Sequence, residues 1–492
     1  MSNPWSPARR LVPTYEHTLA PTWSAPDGPW PNHTLDDVLT AESGDAHRTG
    51  RPSEARVAAV AGGLAALGVG VGDSVAWQKP NGIDTIAMYR AAWRLGAVAA
   101  PVHHLAGAAD LAASLHRLRP SAFVAMDDDL PTGDAVPVGS FPVPPSALAV
   151  ALGSSGSTGT PKLALHTHRA LLYKARLMAT VHGLTPNDCI LMPSPMSHIA
   201  GLFNGVLAPV SGMRVIPMAR WEPNEALRLI AAERVTFMIG PPTFFVSLLD
   251  APDFTPEAVA SLRLISLGGA GITPTFVREA SAQLSARVKR TYGSTEAPAV
   301  ATSTAEDDEQ VAAETDGRVL GMAELRVVDP ATCIDRAAGE PGELLVRGPE
   351  LFEGYDDPAE TTLAFTDDGW FHTGDLATLE AEGWLTIVGR IKDVIIRGGE
   401  NIATAELEAV LEAHPDIRQA VAVGYPDERL GERVAAFVVA SAPFDLDACR
   451  TWFQERGVTK FKWPERIEQV DDLPLLPAGK PDRVALRARL RC

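Results

Sequence analysis

The stretch that decides the fold runs from Gly153 to Lys162 and reads Gly-Ser-Ser-Gly-Ser-Thr-Gly-Thr-Pro-Lys. The apolar run before it, residues 147–152, predicts a buried strand. Glycines let a backbone turn tightly and approach a ligand closely, and successive backbone N–H groups with Ser or Thr hydroxyls form a concavity for anions. Lys162 adds a positive charge at the end of the loop. The stretch therefore suits a polyphosphate.

Two other interpretations of this stretch are a Walker loop and a flexible surface loop. A Walker loop is disfavoured because the chain contains no Gly-x-x-x-x-Gly-Lys-Ser/Thr pattern. Pro161 and the apolar residues after Lys162 also predict a return strand, whereas a Walker loop opens a helix. A flexible Gly/Ser surface loop remains an equal alternative on composition alone, because such runs are common.

Length and charge narrow the class of protein. The chain has 492 residues, enough for more than one domain. Its 43 basic and 61 acidic residues give a net charge of −18, which disfavours nucleic acid or an anionic membrane as a partner. Four scattered cysteines, without a Cys-x-x-Cys pair, indicate neither a disulfide framework nor a zinc site, so a cytoplasmic location is expected. The N-terminus lacks the apolar core of a signal peptide, and no apolar run is long enough to cross a bilayer.

Strand and helix patterns alternate on both sides of the loop and predict parallel βαβ units. The predicted class is α/β, with a large N-terminal domain of βαβ-built sheets. Short strands after residue 320 predict a small barrel-like subdomain, and the rest of the chain predicts a small α+β domain. Residues 1–32 are predicted to form an irregular arm, and the acidic residues 306–316 a solvated loop. The charged run from Gly389 to Asp393 has the character of a hinge and divides the chain into residues 1–391 and 392–492.

The segment from Ser155 to Lys162 resembles the phosphate loop of the adenylate-forming (AMP-binding) superfamily, which includes acyl-CoA synthetases and free-standing adenylation domains. Family members usually have Gly after the Lys, where this chain has Leu163. The resemblance implies that ATP is a substrate and that the C-terminal domain is mobile. It also implies that the phosphates are held by Ser155, Gly156, Ser157, Thr158, Gly159 and Lys162. Thr158 is further implied as a ligand of Mg²⁺.

Two more stretches follow in the family's order. Residues 195–201, Pro-Met-Ser-His-Ile-Ala-Gly, resemble the family's P-x-x-H-x-x-G helix entrance, which implies that His198 gates the acyl pocket. Members that activate amino acids usually carry an Asp just after this point, and residues 199–207 contain no acid, so an α-amino acid is disfavoured. Residues 266–271 resemble the element beside adenine, which implies contacts from Gly269 and Ala270. Each stretch alone also fits an ordinary helix start or turn; the ordered set carries the resemblance.

The five residues 292–296, Tyr-Gly-Ser-Thr-Glu, match the family's Y-G-x-T-E motif. The match implies that Tyr292 stacks on adenine, with Gly293 and Ser294 beside the nucleotide. It also implies that Thr295 bonds the α-phosphate and Glu296 holds Mg²⁺, an ion that prefers carboxylate oxygen together with substrate phosphates.

Motifs toward the C-terminus complete the set. Thr373-Gly374-Asp375 implies that Asp375 accepts the ribose hydroxyls, and the run 389–393 implies Arg390 on ribose or phosphate and Lys392 as the hinge. Residues 397–402 continue the family pattern and imply that Gly398 and Gly399 face the pantetheine of coenzyme A, although Ala403-Thr404-Ala405 replaces the Pro that often follows. The P-x-x-x-x-G-K pattern of residues 474–480 implies that Lys480 is the catalytic lysine.

The resemblance implies an AMP-forming ligase that joins a carboxylic acid to coenzyme A, with ATP and Mg²⁺. Two alternatives stay open: an adenylating enzyme that loads a carrier protein, and a nucleotide-binding regulatory protein without turnover. The pocket is expected along residues 198–204, 240–243 and 266–271, which are mostly apolar and small and include no charged group. This lining suits a medium-chain, alicyclic or aromatic monocarboxylic acid. The oligomeric state is not predicted.

Overall fold

The computed structural model describes residues 8–17, 20–25, 31–41, 50–154, 162–269, 271–397, 400–427, 429–476 and 479–490. Seven of the predicted nucleotide and coenzyme A contacts lie outside the described residues: Ser155, Gly156, Ser157, Thr158 and Gly159 of the phosphate loop, and Gly398 and Gly399. Ala270 also lies outside them. The described residues form four sheets, which confirms the predicted α/β class.

The first sheet contains the strands that flank the phosphate loop. Its strands are β1 Ser74–Gln78, β2 Val98–Val102, β3 Ala122–Val124, β4 Leu148–Ser154 and β5 Lys162–Thr167, in the order β3-β1-β2-β4-β5. β1 to β4 are parallel, and β5 runs antiparallel to β4 with Lys162 opposite Ser154. The predicted return strand is therefore confirmed. Its helices are Leu35–Ala41, Glu54–Ala66, Ile83–Arg94, Ala108–Leu118 and His168–Val181.

The second sheet provides the strand ends of the candidate site. Its strands are β6 Cys189–Met192, β7 Arg214–Pro217, β8 Phe237–Gly240, β9 Leu264–Leu267, β10 Arg287–Tyr292, β11 Ala301–Thr302 and β12 Arg318–Val319. β6 to β10 run parallel to one another, as the alternating pattern predicts. β11 pairs antiparallel with β10, and β12 pairs antiparallel with β11 at the edge of the sheet. Helical segments between them are Ile199–Gly201, Leu202–Val206, Ala208–Ser211, Pro223–Glu233, Pro242–Leu249, Pro256–Val259 and Pro274–Leu284.

The two sheets share one buried core. Trp77 of the first sheet and Phe237 of the second belong to the same apolar cluster, together with Trp93 between them in the fold. The indole N–H of Trp93 donates to the carbonyl of Ala149 over 2.9 Å, so the buried donor is satisfied. This shared core holds the phosphate-loop hairpin and the ends of the second sheet in one rigid unit.

The third sheet is an antiparallel meander of β13 Glu324–Val328, β14 Gly342–Arg347, β15 Phe371–Leu379 and β16 Leu385–Arg390. It contains the predicted short strands, but the described strands form an open four-stranded sheet and not the predicted barrel-like subdomain. The helix Pro358–Ala364 lies between β14 and β15.

The prediction of a solvated loop for residues 306–316 is wrong. Residues Glu309–Glu314 form a helix whose Ala312 and Ala313 are buried. Asp316 is also buried, and it accepts hydrogen bonds from the guanidinium of Arg290 at 3.1 Å and from the backbone N–H of Ile387 at 2.8 Å. The acidic composition predicts exposure, but Ala312 and Ala313 are apolar enough to be buried, and the carboxylate of Asp316 is paired with the buried Arg290.

The fourth sheet carries the predicted α+β region. Its strands are β17 Ile395–Arg397, β18 Glu400–Ile402, β19 Ile417–Asp427, β20 Gly431–Ala440 and β21 Arg466–Gln469, in the order β18-β17-β20-β19 with β21 beside β20. It packs with helices Thr404–Glu412, Leu446–Glu455 and Arg483–Arg489 and the turn Lys460–Lys462. The helical turn Ile391–Asp393 stands between the third and fourth sheets, where the sequence predicts the hinge.

The N-terminal arm is only partly irregular. Residues 8–17 have no regular secondary structure, and Ala20–Trp23 form a short helix. Arg9 donates to the carboxylate of Asp356 at 2.8 Å, and Asp356 also accepts from the backbone N–H of Leu163 at 3.2 Å. The arm is thus tied to the strand that leaves the phosphate loop. Among the described residues, no helix is both long enough and apolar enough for a bilayer span.

Replacing Asp316 with Ala is expected to destabilise the fold. The substitution leaves the buried guanidinium of Arg290 without its carboxylate, a loss that typically costs about 3–5 kcal/mol. Urea unfolding followed by tryptophan fluorescence measures the effect. The matched control is Glu306→Ala, at an exposed position of the same acidic segment. Equal unfolding midpoints for the two variants would show that the pair contributes nothing.

Candidate active site

The candidate site lies at the carboxyl ends of β8, β9 and β10, where parallel α/β sheets generally bind ligands. β8 leads into Pro241, β9 into Gly268-Gly269, and β10 into Gly293. A Cβ atom on Gly293 would lie 2.2 Å from the backbone nitrogen of Ala299, so this turn accepts glycine alone. The chain after β10 is therefore held close against the following turn, which fixes the position of Thr295 and Glu296.

Asp375 connects three of the predicted site residues. One of its carboxylate oxygens accepts from the hydroxyl of Tyr292 at 2.7 Å, and the other lies 2.8 Å from Nε of Arg390. Asp375 is only 4% exposed, whereas Arg390 is 43% exposed. Burial, followed by the charge of Asp375, raises the pKa of Tyr292 well above its usual value, so its hydroxyl remains a donor. A carboxylate has about four acceptor sites, so Asp375 keeps capacity for ligand hydroxyls.

Glu296 is held by Tyr355, a residue outside every predicted motif. The hydroxyl of Tyr355 donates to Oε1 of Glu296 over 2.9 Å. The ammonium of Lys162 lies over the same ring, 4.8 Å from its centroid. Tyr355 is buried, and burial and the charge of Glu296 raise its pKa above its ordinary value. One tyrosine thus sets the spacing between the lysine that ends the phosphate loop and the predicted metal ligand.

His166 of β5 fixes the backbone at Thr295. Its Nε2 lies 2.8 Å from the Thr295 carbonyl oxygen, and burial lowers the pKa of His166 to about 4. The neutral ring therefore donates from Nε2 to this carbonyl. The strand after the phosphate loop and the segment 292–296 are joined directly by this bond.

Lys480 reaches the site from the C-terminal segment. A tight turn presents it: the backbone N–H of Leu476 donates to the Lys480 carbonyl at 2.7 Å, and Gly479 donates to Leu476 at 2.8 Å. The Thr243 hydroxyl, just after β8, donates to the Gly479 carbonyl at 3.0 Å. The Lys480 side chain then passes over Gly269, where an added Cβ would lie 3.2 Å from its Cε. The ends of β8 and β9 together receive this segment.

The environment of Lys480 lowers its basicity. Burial, and then the nearby charge of Arg390, lower the pKa of Lys480 to about 8, while the carboxylates of Asp375 and Glu296 oppose the shift. One predicted anion-binding cation and two predicted carboxylates therefore act on the same ammonium group. This mutual influence places Lys480, Arg390, Asp375 and Glu296 in one site.

His198 directly precedes the helical turn Ile199–Gly201. Burial, then Lys480 and His104, lower the pKa of His198 to about 4, so its ring is neutral near pH 7. Its ring centroid is 5.3 Å from that of His103, which follows β2. The predicted gate residue therefore has histidine neighbours that come from the first sheet.

The structure brings together the described members of the predicted set. Around one crevice lie Lys162, His198, Gly269, Tyr292, Gly293, Ser294, Thr295, Glu296, Asp375, Arg390 and Lys480. Sequence reasoning missed Tyr355, His166 and His103. His103 follows a strand, His166 lies within an apolar strand and Tyr355 lies in a loop, and nothing in their spacing indicates their partners.

Comparison with known proteins gives the family. Residues 31–356 match the family model of the AMP-binding enzymes, and residues 406–480 match that of the AMP-binding enzyme C-terminal domain. The medium-chain fatty-acid–CoA ligase of Escherichia coli is 31% identical, with 92% of this chain and 87% of that protein covered. The methyl-dioxo-octahydroindenyl-propanoyl:CoA ligase of Mycobacterium tuberculosis is 34% identical, with 93% of this chain and 96% of that protein covered.

Two solved structures of one protein are also similar to this chain. ATP-bound MatB from Rhodopseudomonas palustris is 28% identical, with 94% of this chain and 99% of that chain covered, and has a TM-score of 0.86. The apo form of the same protein, over the same shares, has a TM-score of 0.75. The present chain thus resembles the ATP-bound form more closely.

These matches show that the chain belongs to the AMP-binding enzyme family. It is an adenylate-forming protein with the character of an acyl-CoA synthetase, and the two relatives described above are CoA ligases by name.

Labelling of Lys480 is expected to report its lowered pKa. An amine-directed reagent followed by peptide mapping should modify Lys480 half-maximally near pH 8, because only the neutral amine reacts. Asp375→Asn should move this midpoint to lower pH, since Asp375 raises the pKa of Lys480. Lys480→Arg identifies the labelled peptide. A midpoint near 10.4, the ordinary lysine value, would contradict the placement of Lys480 in the site.

Proposed function

We propose that this protein activates a carboxylic acid with ATP to an acyl-adenylate and pyrophosphate, and then transfers the acyl group to the thiol of coenzyme A, releasing AMP. The observation that carries the proposal is the position of Lys480 over Gly269, where the charges of Asp375 and Glu296 act on its ammonium group. A lysine carried by the C-terminal segment has been brought against the strand ends where the nucleotide motifs meet.

The charges of the site suit the first half-reaction. A carboxylate oxygen must attack an α-phosphorus that is already surrounded by anionic oxygens, and like charges repel strongly in a partly dry site. Lys480 would hold the attacking carboxylate in line with the phosphorus and neutralise it. Arg390 and Lys162 are the other cations of the crevice, and the phosphate loop would supply further donors. The bond from phosphorus to the pyrophosphate oxygen breaks as the acyl–phosphate bond forms.

The residues present fit Mg²⁺ as a metal shared with the substrate. Among the described residues there is no group of three His, Cys, Asp or Glu side chains able to hold a metal alone. Glu296 offers one carboxylate whose Oε1 is oriented by Tyr355, which suits an ion that takes its other ligands from phosphates and water. Bound there, Mg²⁺ would neutralise phosphate charge. Thr158, the second proposed ligand, lies outside the described residues.

The second half-reaction requires a thiolate at the acyl carbonyl, with AMP as the leaving group. We propose that residues 392–492 form a mobile domain, that Lys392 is its hinge, and that rotation removes Lys480 and brings Gly398 and Gly399 to the pantetheine. Among the described residues, the polar contacts of this arrangement include a bond from Thr243 to Gly479 and the exposed pair Arg418 and Asp250, 2.9 Å apart. Exposed ion pairs contribute little stability, which suits an arrangement that must reopen.

The acid is proposed to be a medium-chain, alicyclic or aromatic monocarboxylic acid. Support comes from the relatives, which by name act on medium-chain fatty acids and on a bicyclic propanoyl group. The apolar residues Leu202 and Phe244 near the ends of the second sheet also suit such a group.

A pyrophosphate-release screen over a panel of acids tests the function. Release with coenzyme A present, together with thioester formation, is the expected result. Thioester formation on an acyl-carrier protein but not on coenzyme A would show that the acceptor is the carrier protein. Binding of ATP without pyrophosphate release for any acid would overturn the proposal in favour of a regulatory protein.

Glu296→Gln is expected to weaken the use of Mg-ATP. Loss of a ligating carboxylate should raise the Mg²⁺ concentration at half-maximal pyrophosphate exchange about tenfold or more. Tyr355→Phe should raise it less, because it removes only the bond that orients Glu296. The exposed Glu382→Gln serves as control. An unchanged Mg²⁺ dependence in Glu296→Gln would rule out the ligand role.

Lys480→Ala is expected to separate the two half-reactions. Removal of a pre-positioned charge should slow formation of acyl-adenylate by about a hundredfold or more, because two anions must approach each other. With synthetic acyl-adenylate and coenzyme A, thioester should form at close to the parent rate. Lys460→Ala, an exposed lysine of the same segment, is the control. An equal loss in both steps would show that Lys480 is structural, and no loss in either step would remove its catalytic role.

A further inference from the structure

Three histidines lie together beside the candidate site, and the reaction proposed above uses one of them. His103 and His104 follow β2, and His198 precedes the turn Ile199–Gly201. The ring of His103 stacks on that of His104, with centroids 4.8 Å apart, and its centroid is 5.3 Å from that of His198. His103 therefore stands between a stacking neighbour and the proposed gate residue.

The position of the proton on His103 is fixed by its surroundings. The backbone N–H of Leu105 donates to Nδ1 of His103 over 3.0 Å, so this nitrogen is an acceptor. Burial, with the neighbouring histidines, lowers the pKa of His103 to about 4, so the ring is neutral near pH 7. A neutral imidazole that accepts at Nδ1 carries its proton on Nε2.

The backbone that carries His103 is also held in place. The side-chain amide of the buried Gln78 donates to the carbonyls of His103 at 3.3 Å and Ala106 at 3.0 Å. A fixed backbone and a stacked ring leave the imidazole little freedom. Its Nε2–H is thus a donor of fixed direction.

This donor has no hydrogen-bond partner in the described part of the chain, and neither has Nε2 of His198. Both atoms are buried. Buried polar groups nearly always have a partner, so an orphaned pair calls for an explanation. The charge of Lys480 acts on His198, and the ring centroid of His103 is 5.3 Å from that of His198. The missing acceptor therefore belongs next to the place proposed for the substrate carboxylate.

We propose that His103 determines specificity by donating its Nε2–H to an oxygen of the acyl group, so that preferred acids carry a hydroxyl or keto oxygen close to the carboxyl group. The inference rests on the proposed function and narrows its substrate class. Lys480 holds the carboxylate, and His103 recognises the second oxygen. An acid without that oxygen leaves the buried donor unpaired, and a site built to bond a substrate group rejects the analogue that lacks it.

Three acids of similar shape test the inference: benzoate, 2-methylbenzoate and 2-hydroxybenzoate, compared by ATP–pyrophosphate exchange. The kcat/KM for 2-hydroxybenzoate should exceed the other two by about tenfold or more. His103→Phe keeps a ring to stack on His104 and removes the donor, so this ratio should fall to near one. His103→Gln keeps an N–H donor and should recover part of the ratio. His116→Phe, an exposed position of the helix Ala108–Leu118, should keep the ratio unchanged.

Each other outcome has a definite meaning. If only aliphatic acids react, the same ratio is measured with octanoate and 3-hydroxyoctanoate. Equal use of the plain and oxygenated acids by the parent enzyme overturns the inference and leaves the proposed function standing. An intact ratio in His103→Phe with a raised KM for coenzyme A overturns it too, and assigns the donor to the thiol substrate. Absence of exchange with every acid overturns the proposed function and this inference with it.

Discussion

The carboxylate of Asp375 is the contact on which the rest of the site depends. It lies on β15 of the third sheet, accepts from Tyr292 at the end of the second sheet, and pairs with Arg390 where the predicted hinge begins. Because Asp375 is almost fully buried, loss of either partner would leave charge poorly compensated in the interior. Asp375 therefore sets the distance between the end of β10 and the start of the C-terminal segment.

A second set of contacts acts in the same way on the phosphate side. His166 bonds the Thr295 carbonyl, and Tyr355 bonds Glu296 while it lies under Lys162. The residues proposed to touch phosphate and metal are thus joined through side chains from a strand and a loop that have no motif of their own. Such supporting contacts typically govern how well a site is organised before substrate arrives.

Much of the fold could be predicted from the sequence, because its signals are local. The predicted alternation of strands and helices on both sides of the phosphate loop is confirmed, since apolar runs and turn residues lie within each segment. The acidic helix Glu309–Glu314 could not be predicted, because its burial comes from partners elsewhere in the chain. The same holds within the site. Glu296 and Lys480 stand in recognisable motifs, whereas Tyr355 and His103 matter through neighbours 59 and 95 residues away.

The residue at position 269 affects how well the C-terminal segment fits against the rest of the chain. Its φ of +82° favours glycine, and the space that a side chain would fill there holds the methylene groups of Lys480. In the mobile-domain arrangement proposed above, that space is occupied only while the C-terminal segment is docked, so a larger residue would disfavour the docked population more than an open one. Relatives that differ at this position could therefore divide their time differently between the two half-reactions while keeping the same reacting groups.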